Sequence, residues 1–197
     1  KTWNGKEVWG YDINGIDAMS GGSFTTTTTG TGTDVFGNAT STETLTTFTI
    51  YKGKQVTTKS RSVTTSNDIL GNFTTSTSDT VYTYADTDFK GGKYYLLQTV
   101  TTTTSQSGYD LYGGIWTSGG STVTQTYSAK TWNGKEVWGY NINGKDAMAG
   151  GTFTTTTTGT GTDVFGNATS TDTLTTFDIY RGKQVTTKSH SVTTSND

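Results

Sequence analysis

The sequence predicts an all-β fold, an elongated antiparallel β-meander of repeated long hairpins. Three observations carry that expectation. Threonine occurs 51 times and serine 17 times in 197 residues, and proline is absent. β-Branched Thr with 12% aromatics suits a pleated, half-buried surface, whereas Thr and Gly are poor helix formers. Short glycine turns recur between strand-like runs, and residues 1–68 return as residues 130–197 with 60 of 68 positions identical.

Ile, Leu, Val and Phe together number 32, or 16% of the chain. That fraction would suggest disorder if the net charge were high, but it is −2. A chain with so little apolar material must draw on ladder hydrogen bonds and cross-strand aromatic pairs, so the expected sheet is thin and wet. With 14 basic and 16 acidic residues there is no electrostatic footprint for nucleic acid. No run approaches the 18 or so apolar residues of a membrane span. The absence of cysteine excludes a disulfide framework and cysteine-ligated zinc.

The repeat organises the chain. Residues 1–129 read as one complete tandem unit, with modules at approximately 3–50, 51–88 and 89–131, and residues 130–197 as a partial second unit. Asp197 aligns with Asp68, so the native chain is expected to continue with a segment like Ile69-Leu70-Gly71-Asn72. Repetition on this scale points to stacked units or an extended array.

Two kinds of turn alternate. Trp3-Asn4-Gly5-Lys6, Tyr51-Lys52-Gly53-Lys54, Phe89-Lys90-Gly91-Gly92-Lys93, Trp132-Asn133-Gly134-Lys135 and Tyr180-Arg181-Gly182-Lys183 mark tight hairpins. Asn-Gly is the strongest such cue, because a type I′ turn needs positive φ at both central residues. Two-residue turns would set Trp3 opposite Lys6 and Trp132 opposite Lys135. The second kind is Asp34-Val35-Phe36-Gly37-Asn38, Asp68-Ile69-Leu70-Gly71-Asn72, Tyr109-Asp110-Leu111-Tyr112-Gly113-Gly114 and Asp163-Val164-Phe165-Gly166-Asn167. There Asp accepts backbone hydrogen bonds and Gly supplies a strained dihedral. The apolar pair between them is expected to plug the sheet end. A strand of about 14 residues between such turns would span about 46 Å.

The eight differences between the copies include Thr49/Asp178 and Arg61/His190. With a two-residue Lys52-Gly53 turn, Thr49 faces Val56 and Arg61 falls on the opposite face. Both faces then admit charge, which favours a shallow, solvated sheet over a buried sandwich.

Tyr11-Asp12-Ile13-Asn14-Gly15 and Tyr109-Asp110-Leu111-Tyr112-Gly113 resemble the Tyr-Asp-x-x-Gly signature of YD (Rhs-type) repeats. The spacing from Asp12 to Asp34, 22 residues, is similar to that family's unit, whereas spacings of 34 and 42 are longer, and Tyr140-Asn141 lacks the Asp. The resemblance implies a β-meander on an extracellular protein. The family's toxin-enclosing role does not carry over, since no shell-closing or cleavage segment is present. More generally, near-identical Thr-rich units resemble giant bacterial surface adhesins and fibre proteins.

Chemistry finds little support. The only histidine, His190, stands where the other copy has Arg61, and the acidic residues are scattered among turns and strand ends. No G-x-S-x-G elbow occurs. No catalytic residues, metal ligands or cofactor are expected, and the chain is read as a non-enzyme. The turn aspartates offer too few oxygens for calcium, which takes six to eight. Asn38, Asn72 and Asn167 begin N-x-[ST] sequons and are candidate glycosylation sites. The runs Thr25–Thr29, Thr101–Thr104 and Thr154–Thr158 could order water as in ice-binding solenoids, but cross-strand Thr pairing is the simpler role.

The expected function is structural, a segment of an extracellular fibre, adhesin stalk or biofilm-matrix protein whose partner is itself. The alternative is a multivalent polysaccharide-binding surface module, ice binding being the less favoured variant. Exposed rows of Trp and Tyr would favour binding; aromatics packed between hairpins would favour the structural role.

Overall fold

The computed structural model describes residues 1–3, 5–163 and 165–195, with backbone alone at Trp3. Asn4, Val164 and Asp197, each part of an expectation above, lie outside the described residues. Fifteen strands form among the described residues, and no helix. Four are two-residue pieces: β1 (Thr2–Trp3), β2 (Lys6–Glu7), β3 (Asp12–Ile13) and β4 (Ile16–Asp17). The long meander then runs through β5 (Gly22–Thr33), β6 (Ala39–Tyr51), β7 (Lys54–Asn67), β8 (Phe73–Phe89), β9 (Gly92–Tyr109) and β10 (Ile115–Trp132). The second copy supplies β11 (Lys135–Ile142), β12 (Lys145–Asp146), β13 (Gly151–Thr162), β14 (Ala168–Tyr180) and β15 (Lys183–Ser195).

The main sheet is antiparallel and ordered β15-β14-β13-β10-β9-β8-β7-β6-β5, with β11 and β12 as a branch beside β10. It is elongated and thin. The accessible surface is 12521 Å², against roughly 9,000 Å² for a compact monomer of this mass. Among the described residues six apolar residues are buried, and four of them, Ile142, Ala147, Phe153 and Ile179, form one small cluster at the β11–β12 branch. Hydroxyl ladders supplement that meagre core. Thr25 and Thr47 approach to 3.0 Å, Thr42 and Thr64 to 3.0 Å, and Thr80 and Thr102 to 3.0 Å, each pair bridging neighbouring strands.

The tight turns are two residues long, as their chemistry predicts. Asn133 and Gly134 take φ of 49° and 72°, and Trp132 pairs with Lys135. Trp3 likewise pairs with Lys6. Lys52, Lys90 and Arg181 occupy the same first turn position at φ of 48°, 50° and 50°, each followed by glycine. These cations sit over the ring of the preceding aromatic, 4.8, 5.4 and 5.2 Å from the centroids of Tyr51, Phe89 and Tyr180.

Two expectations are corrected. Thr49 does pair with Val56, but Arg61 lies on the same face as Thr49, not the opposite one. The cause is a β-bulge: Phe48 pairs with Thr57 and Thr47 with Lys59, so Thr58 is an extra residue that inverts the alternation beyond it. Its hydroxyl donates to the Thr47 carbonyl at 3.3 Å, and Thr187 does the same to Thr176 at 3.2 Å in the second copy. The apolar pairs of the Asp/Gly turns do not plug the sheet end. Val35, Phe36, Ile69, Leu70, Leu111, Tyr112 and Phe165 are exposed. A single-layer sheet has no second layer for them to enter.

Candidate functional site

One stretch of sequence occurs in two environments. In the second copy, β11 pairs with the far half of β10 from Gln125 to Trp132, while β13 pairs with its near half from Ile115 to Ser118. The sheet therefore runs without a break from the first unit into the second. In the first copy the counterparts of β11 and β12 form only the small hairpins β1–β2 and β3–β4, outside the main sheet, and the counterpart of β13 is its edge strand β5.

The junction is held by side chains as well as by the ladder. Trp138 on β11 crosses β10, donates its Nε1–H to the Leu97 carbonyl at 2.9 Å and sets its ring edge-on to Phe89, centroids 5.5 Å apart. Trp9, its counterpart, is 104% exposed. Asn143, first residue of the next tight turn, extends the contact with β10 by one residue, to Thr124. Its N–H donates to the Thr124 carbonyl, and its Oδ1 accepts from the Thr124 N–H, both at 2.8 Å. Tyr140 donates its hydroxyl to the Gly182 carbonyl at 2.6 Å, as Tyr11 does to Gly53 at 2.7 Å. Tyr109, in the other Tyr-Asp stretch, instead stacks on Phe73, centroids 5.3 Å apart. Lys130, nearly buried, reaches Asn141 Oδ1 at 2.5 Å and Asp146 Oδ2 at 2.6 Å. That ammonium, with the Met148 N–H, holds the Asp146 carboxyl below its ordinary value.

Glycines make the β10–β13 contact possible. Trp116 stands directly between Gly108 of β9 and Gly161 of β13 in the register. A Cβ on Gly108 would lie 2.7 Å from the indole, and one on Gly161 would lie 2.8 Å from the Ile115 carbonyl oxygen. A ring laid over strand glycines replaces the missing side-chain cover. In the first copy Gly32, the counterpart of Gly161, meets only the Thr40 hydroxyl at 3.2 Å, and Gly30, the counterpart of Gly159, has nothing within 4 Å.

The Asp/Gly turns form a second ordered feature. Asp68 Oδ1 accepts from the Leu70 and Asn72 N–H groups at 2.9 Å each, and Oδ2 accepts from Asn72 Nδ2 at 2.6 Å. Asp34 and Asp163 repeat the pattern. These donors hold all three carboxyls below the ordinary carboxylate range, the Asn partner's side chain leading at Asp34 and Asp68 and its backbone N–H at Asp163. Neighbouring turns are tied together: Asn38 Oδ1 accepts from the Ile69 N–H at 3.3 Å, and Asn72 Oδ1 from the Leu111 N–H at 2.9 Å.

The sequon asparagines are thus turn residues. In Asn38, Asn72 and Asn167 the Nδ2 atom, where a glycan would attach, donates to the Asp of its own turn at 2.8, 2.6 and 2.9 Å. A glycan there would have to form against that bond. His190 lies exposed on β15 opposite Leu174. Among the described residues no group of three or more acidic or histidine side chains is placed to hold a metal ion. The sequence marks the turns and suggests that Trp138 packs across strands. It gives no sign of Asn143 and Lys130 or of how Trp138 differs from Trp9, because their partners lie 11 to 49 residues away and are set by tertiary pairing. Comparison with protein-family models, curated proteins and solved structures finds no match.

Proposed function

We propose that this chain is a structural segment of an extracellular fibre, adhesin stalk or biofilm-matrix protein, built by docking each repeat unit onto the one before. The observation that carries this is the junction: β10 of one unit pairs on its outer edge with β11 and β13 of the next, so the sheet grows by one unit at a time. Stability in such an array is a sum of unit and neighbour terms. Six long strands per unit, β5 to β10, add roughly 29 Å of sheet at about 4.8 Å per strand.

The competing expectation, polysaccharide binding through rows of exposed aromatics, draws less support. Trp138 is committed to contacts between strands and Thr hydroxyls pair across strands, although Trp9, Tyr11, Trp132 and Tyr180 stay exposed.

Chains of one, two and three complete units test the proposal. Small-angle scattering should show a maximum dimension rising by roughly 29 Å per unit, with a melting temperature that rises and then levels off. Equal melting temperatures at all lengths, with units tumbling as separate beads, would refute it.

A further inference from the structure

Charge is sorted along the strands. The stretches around the Asp/Gly turns, residues 22–45, 62–78, 97–129 and 151–177, contain Asp34, Glu43, Asp68, Asp110, Asp163 and Asp172 and no Lys or Arg. Every Lys and Arg lies in the middle of the sheet or toward the tight-turn rim. That rim also carries carboxylates such as Asp86, Asp88, Glu136, Asp146 and Asp178, and so is mixed with an excess of cations. One rim is therefore anionic and carries exposed apolar tips, Phe36 at 74% and Phe165 at 85% among them. The opposite rim carries Lys52, Lys90 and Arg181 over aromatic faces. It also carries one open groove per unit: about 340 Å³ beside Trp9, Tyr11 and Lys52, and about 540 Å³ beside Trp132, Tyr140 and Arg181.

The two rims match in spacing because they cap the same strands. Turns on either rim recur every second strand, roughly 10 Å apart. The first apolar tip of each unit belongs to the β5–β6 turn, and the groove lies by the β6–β7 turn, so tip and groove share strand β6. A copy shifted along the strand direction thus brings Phe36 and Asp34 over an apolar groove bordered by a cation. Lys52 also reaches Asp86 at 3.3 Å, yet its side chain stays 67% exposed.

We infer that the anionic, apolar rim of one copy docks onto the cationic, aromatic rim of a second copy, joining ribbons end to end along the strands. The contact is heterologous, one rim meeting the other, so it propagates into open layers instead of closing as a dimer. It uses turn tips, whereas the junction between units uses strand edges, so it goes beyond the proposed function and does not depend on it.

Sedimentation velocity on the 197-residue chain tests this with two triple variants. Lys52→Asn, Lys90→Asn and Arg181→Asn remove the cations while suiting the type I′ turn. Phe36→Ser, Leu70→Ser and Phe165→Ser remove exposed tips. Unchanged thermal melts establish that both variants fold. The native chain should associate with rising concentration and do so less in high salt. Each variant alone should associate at least about tenfold more weakly, a loss of about 1.4 kcal/mol. Mixed together, each variant keeps the rim the other lacks, so the mixture should form 1:1 complexes and nothing larger. Association retained by both variants would place the contact on the β5 or β15 edge and overturn the inference. A native chain that stays monomeric, whether or not its grooves take up a soluble dextran, would overturn it too.

Discussion

Trp138 donates its indole N–H to the backbone carbonyl of Leu97, 2.9 Å away, across the boundary between two repeat units. The β9–β10 ladder ends at the Thr99–Thr126 pair, so the indole reaches a part of β9 that β10 no longer pairs. One side chain thereby supplies both a polar partner and an aromatic contact, with Phe89, where the ladder has stopped.

Replacing that side chain should weaken the whole sheet. Trp138→Ala is expected to cost about 2 kcal/mol, less than a fully buried Trp because the ring is only partly covered. Trp9→Ala, at the matching position of the first copy, should change stability by no more than about 0.5 kcal/mol. Urea unfolding of the two variants measures the difference. Equal losses would mean that the indole contact contributes nothing particular to the junction.

The seam glycines provide a second matched pair. Gly161→Ala forces a Cβ to 2.8 Å from the Ile115 carbonyl, whereas at Gly32 the nearest atom is the movable Thr40 hydroxyl at 3.2 Å. Gly32→Ala should be neutral or stabilising, since Gly in a strand interior costs roughly 0.5–1 kcal/mol relative to Ala. Gly161→Ala should destabilise by about 1–3 kcal/mol. The sign of the difference in melting temperature is the readout.

Acid should loosen the Asp/Gly rim first. Asp34, Asp68 and Asp163 have carboxyls held below the ordinary carboxylate value by the N–H groups of their own turns. A depressed folded-state value means that the stabilisation is complete above about pH 4 and lost as pH falls through the lowered folded value. Amide resonances of Phe36, Leu70 and Phe165 should therefore shift below about pH 4, before the central strands respond. Asp68→Asn keeps an acceptor for the Leu70 N–H but sets one amide nitrogen against that of Asn72, and should abolish the acid response of that turn. An unchanged response would show that the carboxylate does not organise it.

Much of the fold was legible in the sequence because the turn residues are chemically explicit. Asn133-Gly134 specifies a type I′ turn from its own dihedral preferences, and the register follows from it. The face of Arg61 was not legible, because the bulge at Thr58 arises from pairing with β6 and carries no local mark beyond one more Thr in a Thr-rich strand. Trp9 and Trp138 were indistinguishable for the same kind of reason. Their flanking residues are identical from position 1 to 11 and 130 to 140, and only the presence of β10 separates their fates. The apolar turn tips were misplaced because apolar residues are ordinarily taken to seek cover, and here their exposure follows from a one-layer sheet.

Hydrogen exchange on the intact chain tests the docking of one unit on the next most directly, with an internal control. Residues 6–13 and 135–142 differ only at Asp12 and Asn141, so their unprotected exchange rates are nearly equal and their peptides separate by mass. Docking predicts that amides of Val137 to Ile142 are protected on the order of 100-fold more than those of Val8 to Ile13, corresponding to about 2.7 kcal/mol of local stability. Equal exchange in the two segments would contradict the account.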